Sequence, residues 1–367
     1  MDSHCDILKG CIPLIHGMLK LDVFQIMVEN YGVRSFALEA DYGCCETANR
    51  YIHGGEGTAE QAADALGFQI YKTDEMANLL SWMREYNEEA GEGEDLCFYG
   101  FDMQRYEVDY EYFIETVKAL GVETAELEKI WNNGDLGSEY TDEQRAEIIE
   151  GVKAELLENE KPATTQAVHF ADILLQNIEL EKTMNDAWAG MALRDKFMSE
   201  NVMWILGQEE ARGNSRIFIT GHNGHVRQFG SYDNENKYMG NILADEIGEA
   251  SYFVIGTDFC KTTNNMPKGS GKRTKFTAYS HDPLAKAAKK CGYDSCWLDF
   301  SKIPEESALK SEVTGYCYMG NLGENQLTLL NRVVMRAIPY AYRIWGSPAS
   351  MYDGMIFVTE AHPTQLR

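Results

Sequence analysis

The segment Arg216-Ile217-Phe218-Ile219-Thr220-Gly221-His222-Asn223-Gly224-His225 joins a short β-branched and aromatic run to a glycine, with two histidines following within a turn. Such a run, bounded by turn residues, predicts a buried strand. Titratable side chains released at its carboxyl end stand where open α/β sheets build their sites. The chain has only 8 histidines in 367 residues. Two of them in one tetrapeptide call for a chemical explanation.

Working outward, further strand-like runs are short, apolar and well separated: Val33 to Ala40, Leu96 to Asp102, Tyr252 to Gly256, Met355 to Thr359 and, more weakly, Ser295 to Phe300. Helical patterns such as Leu19 to Asn30 and Thr73 to Ala90 alternate with them. Strands alternating with helices predict an α/β fold, a mainly parallel sheet covered on both faces. Residues 104–210 read differently, as polar, Glu- and Ala-rich helical repeats over Val108 to Leu120, Thr141 to Asn159 and Thr165 to Met203. Thr141, followed by Asp142-Glu143-Gln144, is an N-cap with acidic first-turn residues. The expected organisation is a first part of the α/β domain over 1–103, a helical insertion over 104–210, and a second part over 211–367. The insertion serves either as a lid or wall over the site or as a plain helical layer.

The composition is that of a globular enzyme-sized chain, 44% hydrophobic and 25% charged. A net charge of −25 argues against nucleic acid and against adsorption to anionic membranes. No apolar run approaches a membrane span, the first residues lack a basic leader, and the nine cysteines form no CxxC pair. These features point to reduced thiols and a cytoplasmic location. A GxSxG elbow and a GxGxxG fingerprint are both missing, and the basic loop Asn264 to Arg273 lacks the Walker pattern and reads as a surface loop.

Three of the expected strands finish with titratable groups: Glu39, Asp102, and His222 with His225. On one edge of a parallel sheet they would line a common cleft. The imidazoles suit proton transfer near neutrality, and a zinc site is equally open to them. Glu39 can orient an imidazole as the third member of a triad, and Asp41 can cap the helix that follows.

Taken together, Phe36-Ala37-Leu38-Glu39-Ala40, Asn49-Arg50-Tyr51-Ile52 with Gly54-Gly55, Phe98-Tyr99-Gly100-Phe101-Asp102, Arg194-Asp195 with Met198-Ser199-Glu200-Asn201, Gly221 to His225, and Met239-Gly240 before Tyr252 to Gly256 resemble the erythromycin esterase family. Some of its members are described as succinoglycan-biosynthesis-like. The resemblance implies a three-layer α/β/α fold and cofactor-free, metal-independent hydrolysis of a small-molecule ester or lactone. The family archetype opens a macrolide and so confers antibiotic resistance. By the same resemblance His16, Glu39, His222 and His225 carry catalysis, while Lys20, Asp102 and Arg194 bind substrate, Lys20 as an oxyanion partner. The family's first motif, approximately Gly-Glu-x-x-His-Gly, is altered here. His16-Gly17 matches, but Pro13 stands at the glutamate position and little chain precedes it to form a first strand. A non-catalytic binding protein that keeps the cleft, or a metal-dependent hydrolase using His222 and His225, are the competing readings.

Overall fold

The computed structural model describes residues 7–10, 17–132, 134–158, 164–183, 185–265, 273–280, 282–320, 322, 334 and 343–365, with side chains from Lys20 onward. Its strands are β1 (Ile7–Gly10), β2 (Ser35–Asp41), β3 (Cys97–Asp102), β4 (Trp131–Asn132), β5 (Asp135–Leu136), β6 (Phe218–Thr220), β7 (Tyr252–Asn264), β8 (Phe276–Tyr279), β9 (Ser295–Asp299), β10 (Cys317–Gly320), β11 (Arg343–Gly346) and β12 (Gly354–Ala361). The helices are α1 (Gly17–Tyr31), α2 (Tyr42–Ile52), α3 (Ala59–Ala65), α4 (Asp74–Glu89), α5 (Glu107–Leu120), α6 (Ala125–Ile130), α7 (Asp142–Leu157), α8 (Thr164–Lys182), α9 (Ala187–Ala211), α10 (Asn223–Val226), α11 (Met239–Ile247), α12 (Pro283–Lys290), α13 (Ala308–Thr314) and α14 (Pro348–Met351).

The main sheet runs in the order β3-β2-β6-β1-β7-β12-β9, with β8 pairing β7. Every pairing from β3 to β12 along that path is parallel, whereas β9 on β12 and β8 on β7 are antiparallel. Because side chains alternate across a strand, each strand feeds two cores. Phe36, Leu38, Phe98 and Phe218 face α1 and α4 through Phe24, Met76 and Leu80. Ala37, Phe101, Ile217 and Ile219 face the other layer, with Phe113, Phe170, Val202 and Leu243. The result is the expected three-layer α/β/α arrangement.

Two expectations are corrected. The chain before His16 does form a first strand: four residues, Ile7–Gly10, suffice to sit between β6 and β7. The Tyr252 run continues well past Gly256 to Asn264, because β12 on one side and β8 on the other pair the polar extension. Between β3 and β6 lie α5 to α9 and the β4–β5 ribbon. Thr141 closes a capping box with Gln144, as its sequence predicts. The helical run from Thr165 is divided into α8, ending at Lys182, and α9, starting at Ala187, which Asp186 caps by accepting from Trp188 and Ala189. Helix α9 packs directly on β3 and α11.

Candidate functional site

Strands β3, β2 and β6 are parallel neighbours, so their carboxyl ends bring Glu39, Asp102 and the turn after Thr220 to one edge. The strand β6 stops at Gly221, where a Cβ would stand 3.0 Å from Glu39 Oε2. The bare glycine lets that carboxylate reach over and accept the His222 amide at 2.5 Å. Helix α10 begins immediately, with His222 as its N-cap: the ring Nδ1 accepts from Gly224 N–H at 3.2 Å.

Arg194, from the second turn of α9, ties the edge together. Its Nε and Nη2 donate to the two oxygens of Asp102 at 3.0 and 2.6 Å, and Nη2 also donates to Glu39 Oε1 at 2.9 Å. A forked guanidinium suits this shared, bidentate geometry in a way that an ammonium would not. Asp102 is fully buried, and its remaining capacity accepts from Met103 N–H and Gln104 Nε2.

His225 stands between two carboxylates. Its Nδ1 bonds to Asp195, while Nε2 lies 3.7 Å from Glu39 Oε1 and 3.3 Å from Arg194 Nη1. The side chains of Glu39, Arg194 and His225 keep 13%, 14% and 13% exposure, whereas those of Asp102 and Asp195 keep 0%. The first three therefore keep slight contact with solvent and the last two support them from behind.

Charge follows from this arrangement. Burial alone would raise the Glu39 carboxyl, but His225, Arg194 and His222 overcome it and bring its pKa to about 2. Burial pulls His222 down to about 4, helped by the neighbouring His225, so at neutral pH its ring is uncharged. For His225, burial is outweighed by Asp195 and Glu39, and its pKa lies above the usual imidazole value. Two histidines three residues apart are thus shifted in opposite directions, a division that adjacent carboxylates and burial commonly impose at functional sites.

Lys20, on α1, is nearly buried with its Nζ 5.3 Å from the ring of Tyr71, whose hydroxyl donates to the Glu39 carbonyl. Asp41 holds the N-cap position of α2 without capping it. Its Oδ1 is already taken by the Arg105 amide, which corrects the capping expectation. His16 and Pro13 lie outside the described residues, as do residues 266–272 of the basic loop. Cys44, Cys45, Cys97, Cys260, Cys291, Cys296 and Cys317 are free thiols.

Among the described residues, His53, Asp95 and Cys97 bring three ligand atoms close together, at the amino end of β3 and away from the cleft. A cation already sits there: Arg212 lies 2.7 Å from Cys97 Sγ and 2.9 Å from Asp95 Oδ2.

A family model described as erythromycin esterase matches residues 28–361. The chain belongs to the erythromycin esterase family. An Escherichia coli erythromycin esterase type II is 22% identical, the match covering 79% of this chain and 78% of that protein. Among solved structures, a Bacillus cereus protein superposes with a TM-score of 0.79 at 20% identity, covering 98% of this chain and 90% of the other. A succinoglycan biosynthesis protein gives 0.79 at 17% identity, covering 99% and 89%. A histidine-to-asparagine mutant of the erythromycin esterase EreC, in its open conformation, gives 0.64 at 16% identity, covering 98% and 91%. At these identities the structural likenesses carry the fold.

In this erythromycin esterase family chain, Glu39, Asp102, Arg194, His222 and His225 meet in one network. Lys20 reaches it through Tyr71, and Asp195 and Tyr232 complete it. Tyr232 escaped sequence reading entirely. Asp195 was visible only as the neighbour of Arg194 in a matched Arg-Asp pair, with no sign of what it touches. Among the described residues no helix is long and apolar enough to cross a membrane.

Proposed function

We propose that the protein hydrolyses a carboxylic ester or lactone of a small molecule by acid/base chemistry at the cleft histidines. The supporting observation is the His225 ring, braced by Asp195 at Nδ1 and offering Nε2 beside Glu39 and Arg194. In this reading Nε2 takes a proton from water as the water oxygen attacks the ester carbonyl carbon. The tetrahedral oxyanion then collapses, the C–O bond to the leaving group breaks, and the leaving alkoxide recovers the proton from His225. Glu39 orients the water and the imidazole. Arg194 and Lys20 stabilise the oxyanion, beside the uncharged His222 ring. His16, matched to the family's first motif, is the other candidate base. Asp102 acts through Arg194, whose fork it holds.

Acid/base chemistry is favoured over a His222–His225 metal site by Arg194. A metal ion at His225 Nε2 would have to displace a guanidinium that two carboxylates hold in place. Macrolide turnover and a role in antibiotic resistance rest on the family alone, and a cytoplasmic location rests on the thiol-rich sequence.

A hydrolysis screen over simple esters and macrolactones tests the proposal, with His225→Ala, His16→Ala and a chelator arm alongside the parent. The expected result is turnover that chelation leaves intact and that His225→Ala reduces at least about 100-fold. No turnover of any ester by the parent, or full activity in His225→Ala, sinks it.

A further inference from the structure

Asp195, like Asp102, is fully buried within the network. Its carboxylate meets donors from three places: His225 Nδ1, the Tyr232 hydroxyl at 3.1 Å and the Met239 amide, the first of α11, at 3.2 Å. An amide hydrogen cannot be reversed and the side chain is fully buried, so the carboxylate is fixed in place as an acceptor. We infer that Asp195 is the positioning residue of His225: it holds the imidazole proton on Nδ1 and thereby turns Nε2, as the proton-exchanging nitrogen, toward Glu39 and the cleft. This rests on the acid/base reading above for its catalytic meaning, but its structural content stands separately.

The geometry on the other side of the ring fits that assignment. With Nδ1 protonated, the Nε2 lone pair can accept from Arg194 Nη1 at 3.3 Å, and a proton gained there points toward Glu39 Oε1 at 3.7 Å. Both states of a proton carrier are accommodated without moving the ring. The opposite tautomer would set a bare Nδ1 lone pair against a buried carboxylate, a repulsive contact. His222, whose ring centroid is 5.9 Å away, is held the other way round: its Nδ1 is the acceptor for Gly224 N–H, so the proton of its neutral ring sits on Nε2. The two histidines of one turn thus present unlike groups, an exchanging nitrogen and a fixed donor.

The charged and titratable groups facing His225 are Asp195 and Arg194 from α9, Glu39 from β2, and His222 from its own turn. Of these, Asp195 alone bonds to Nδ1. Tyr232 reaches Asp195 from a ring that packs against exposed Trp188 at 6.1 Å and against Tyr238 at 4.5 Å. The carboxylate is therefore also connected to an aromatic cluster that reaches the surface at Trp188.

Nitrogen-15 NMR of histidine-labelled protein tests the inference, with the His225 signals assigned by their loss in His225→Gln. In the unmutated protein the expected finding is Nδ1–H on His225 throughout the titration and Nε2–H on neutral His222. Neutral His225 protonated on Nε2 overturns the proposal without any variant. In Asp195→Asn, the loss of an adjacent anion lowers the His225 pKa, and the amide group moves the neutral proton toward Nε2. An unchanged tautomer and titration in a folded Asp195→Asn also overturn it. With an ester that the parent hydrolyses, Asp195→Asn should lower kcat about 100-fold with KM within about threefold, and shift the acidic limb of the rate profile to lower pH. A KM effect with kcat intact refutes the positioning role. A parent without turnover fails the hydrolase reading alone, because the tautomer measurement still decides the role of Asp195.

Discussion

Arg194 is the residue on which two negative neighbours depend. Two carboxylates, Glu39 and Asp102, share its guanidinium, and removing the cation leaves both buried with like charge. Arg194→Met should therefore destabilise the fold by about 3–5 kcal/mol in urea unfolding, far more than the lost packing of one side chain. Adding Glu39→Gln to that background should restore part of the loss, since one of the stranded charges is then gone. A decrease below about 1 kcal/mol for the single variant would mean that the carboxylates find other partners. At this scale the sequence was informative about identity and silent about direction. Glu39, Asp102, His222 and His225 could be named because each ends a strand, and strand ends converge. Asp195 could not, because it lies inside a helix. Successive helical positions are rotated by about 100°, and nothing local says which of Arg194 and Asp195 looks at the histidine.

At the level of elements, the short helix α10 keeps its position because α11 lies unusually close. A Cβ at Gly240 would come within 2.2 Å of the Val226 carbonyl oxygen and 2.5 Å of the Tyr252 hydroxyl. That hydroxyl donates to the same carbonyl at 2.8 Å, and Asn223 bonds to the backbone of Thr257 on β7 in both directions. The histidine turn is thus clamped between α11 and β7. Gly240→Ala has no flexible neighbour to push aside and should cost about 1–3 kcal/mol as overpacking, read as a lowered Tm, with hydrolysis falling along with it. A variant of parental Tm would show that α11 slides freely. The alternation of β2, β3, β6, β7, β9 and β12 with helices was legible, and so was the Thr141 cap, because both are written in local pattern. The length of β7 was not: Asp258, Lys261 and Thr262 look like a loop until β12 and β8 are beside them. Nor was the division between α8 and α9, since the Ala- and Glu-rich composition continues through it.

Across the whole molecule, buried titratable groups set an unusual dependence on pH. Burial pushes Asp109 up to about 8, and its Oδ1 accepts from Gly43 N–H. Burial pushes His169, stacked on Trp204, down to about 3. The signs differ. His169 stays neutral in the fold while the unfolded chain takes up its proton below about 6.5, so stability is lost as pH falls from there toward 3. Asp109 keeps a proton that the unfolded chain releases near 3.8, so its contribution is lost as pH rises from there to about 8. The Asp258 and Asp282 carboxyls are raised by burial and act in the same direction, as does His225. Above pH 6.5 the raised groups act alone, and Tm should fall steadily to pH 8. Asp109→Asn mimics the protonated acid, keeps the acceptor for Gly43 and should make that fall shallower in calorimetry. An equal slope in both proteins would show that Asp109 is ionised in the fold.

Strand β1 has a consequence for how the chain is made and handled. Along the path of the main sheet among the described residues, β3-β2-β6 on one side and β7-β12-β9 on the other are joined only through Ile7–Gly10. The segment that welds the two halves leaves the ribosome some two hundred residues ahead of its two neighbours. Until they emerge it has no edge to pair with. A fusion partner or protease acting on those few residues thus reaches the middle of the molecule. A tag beyond Ala361, past the end of β12, leaves that seam untouched.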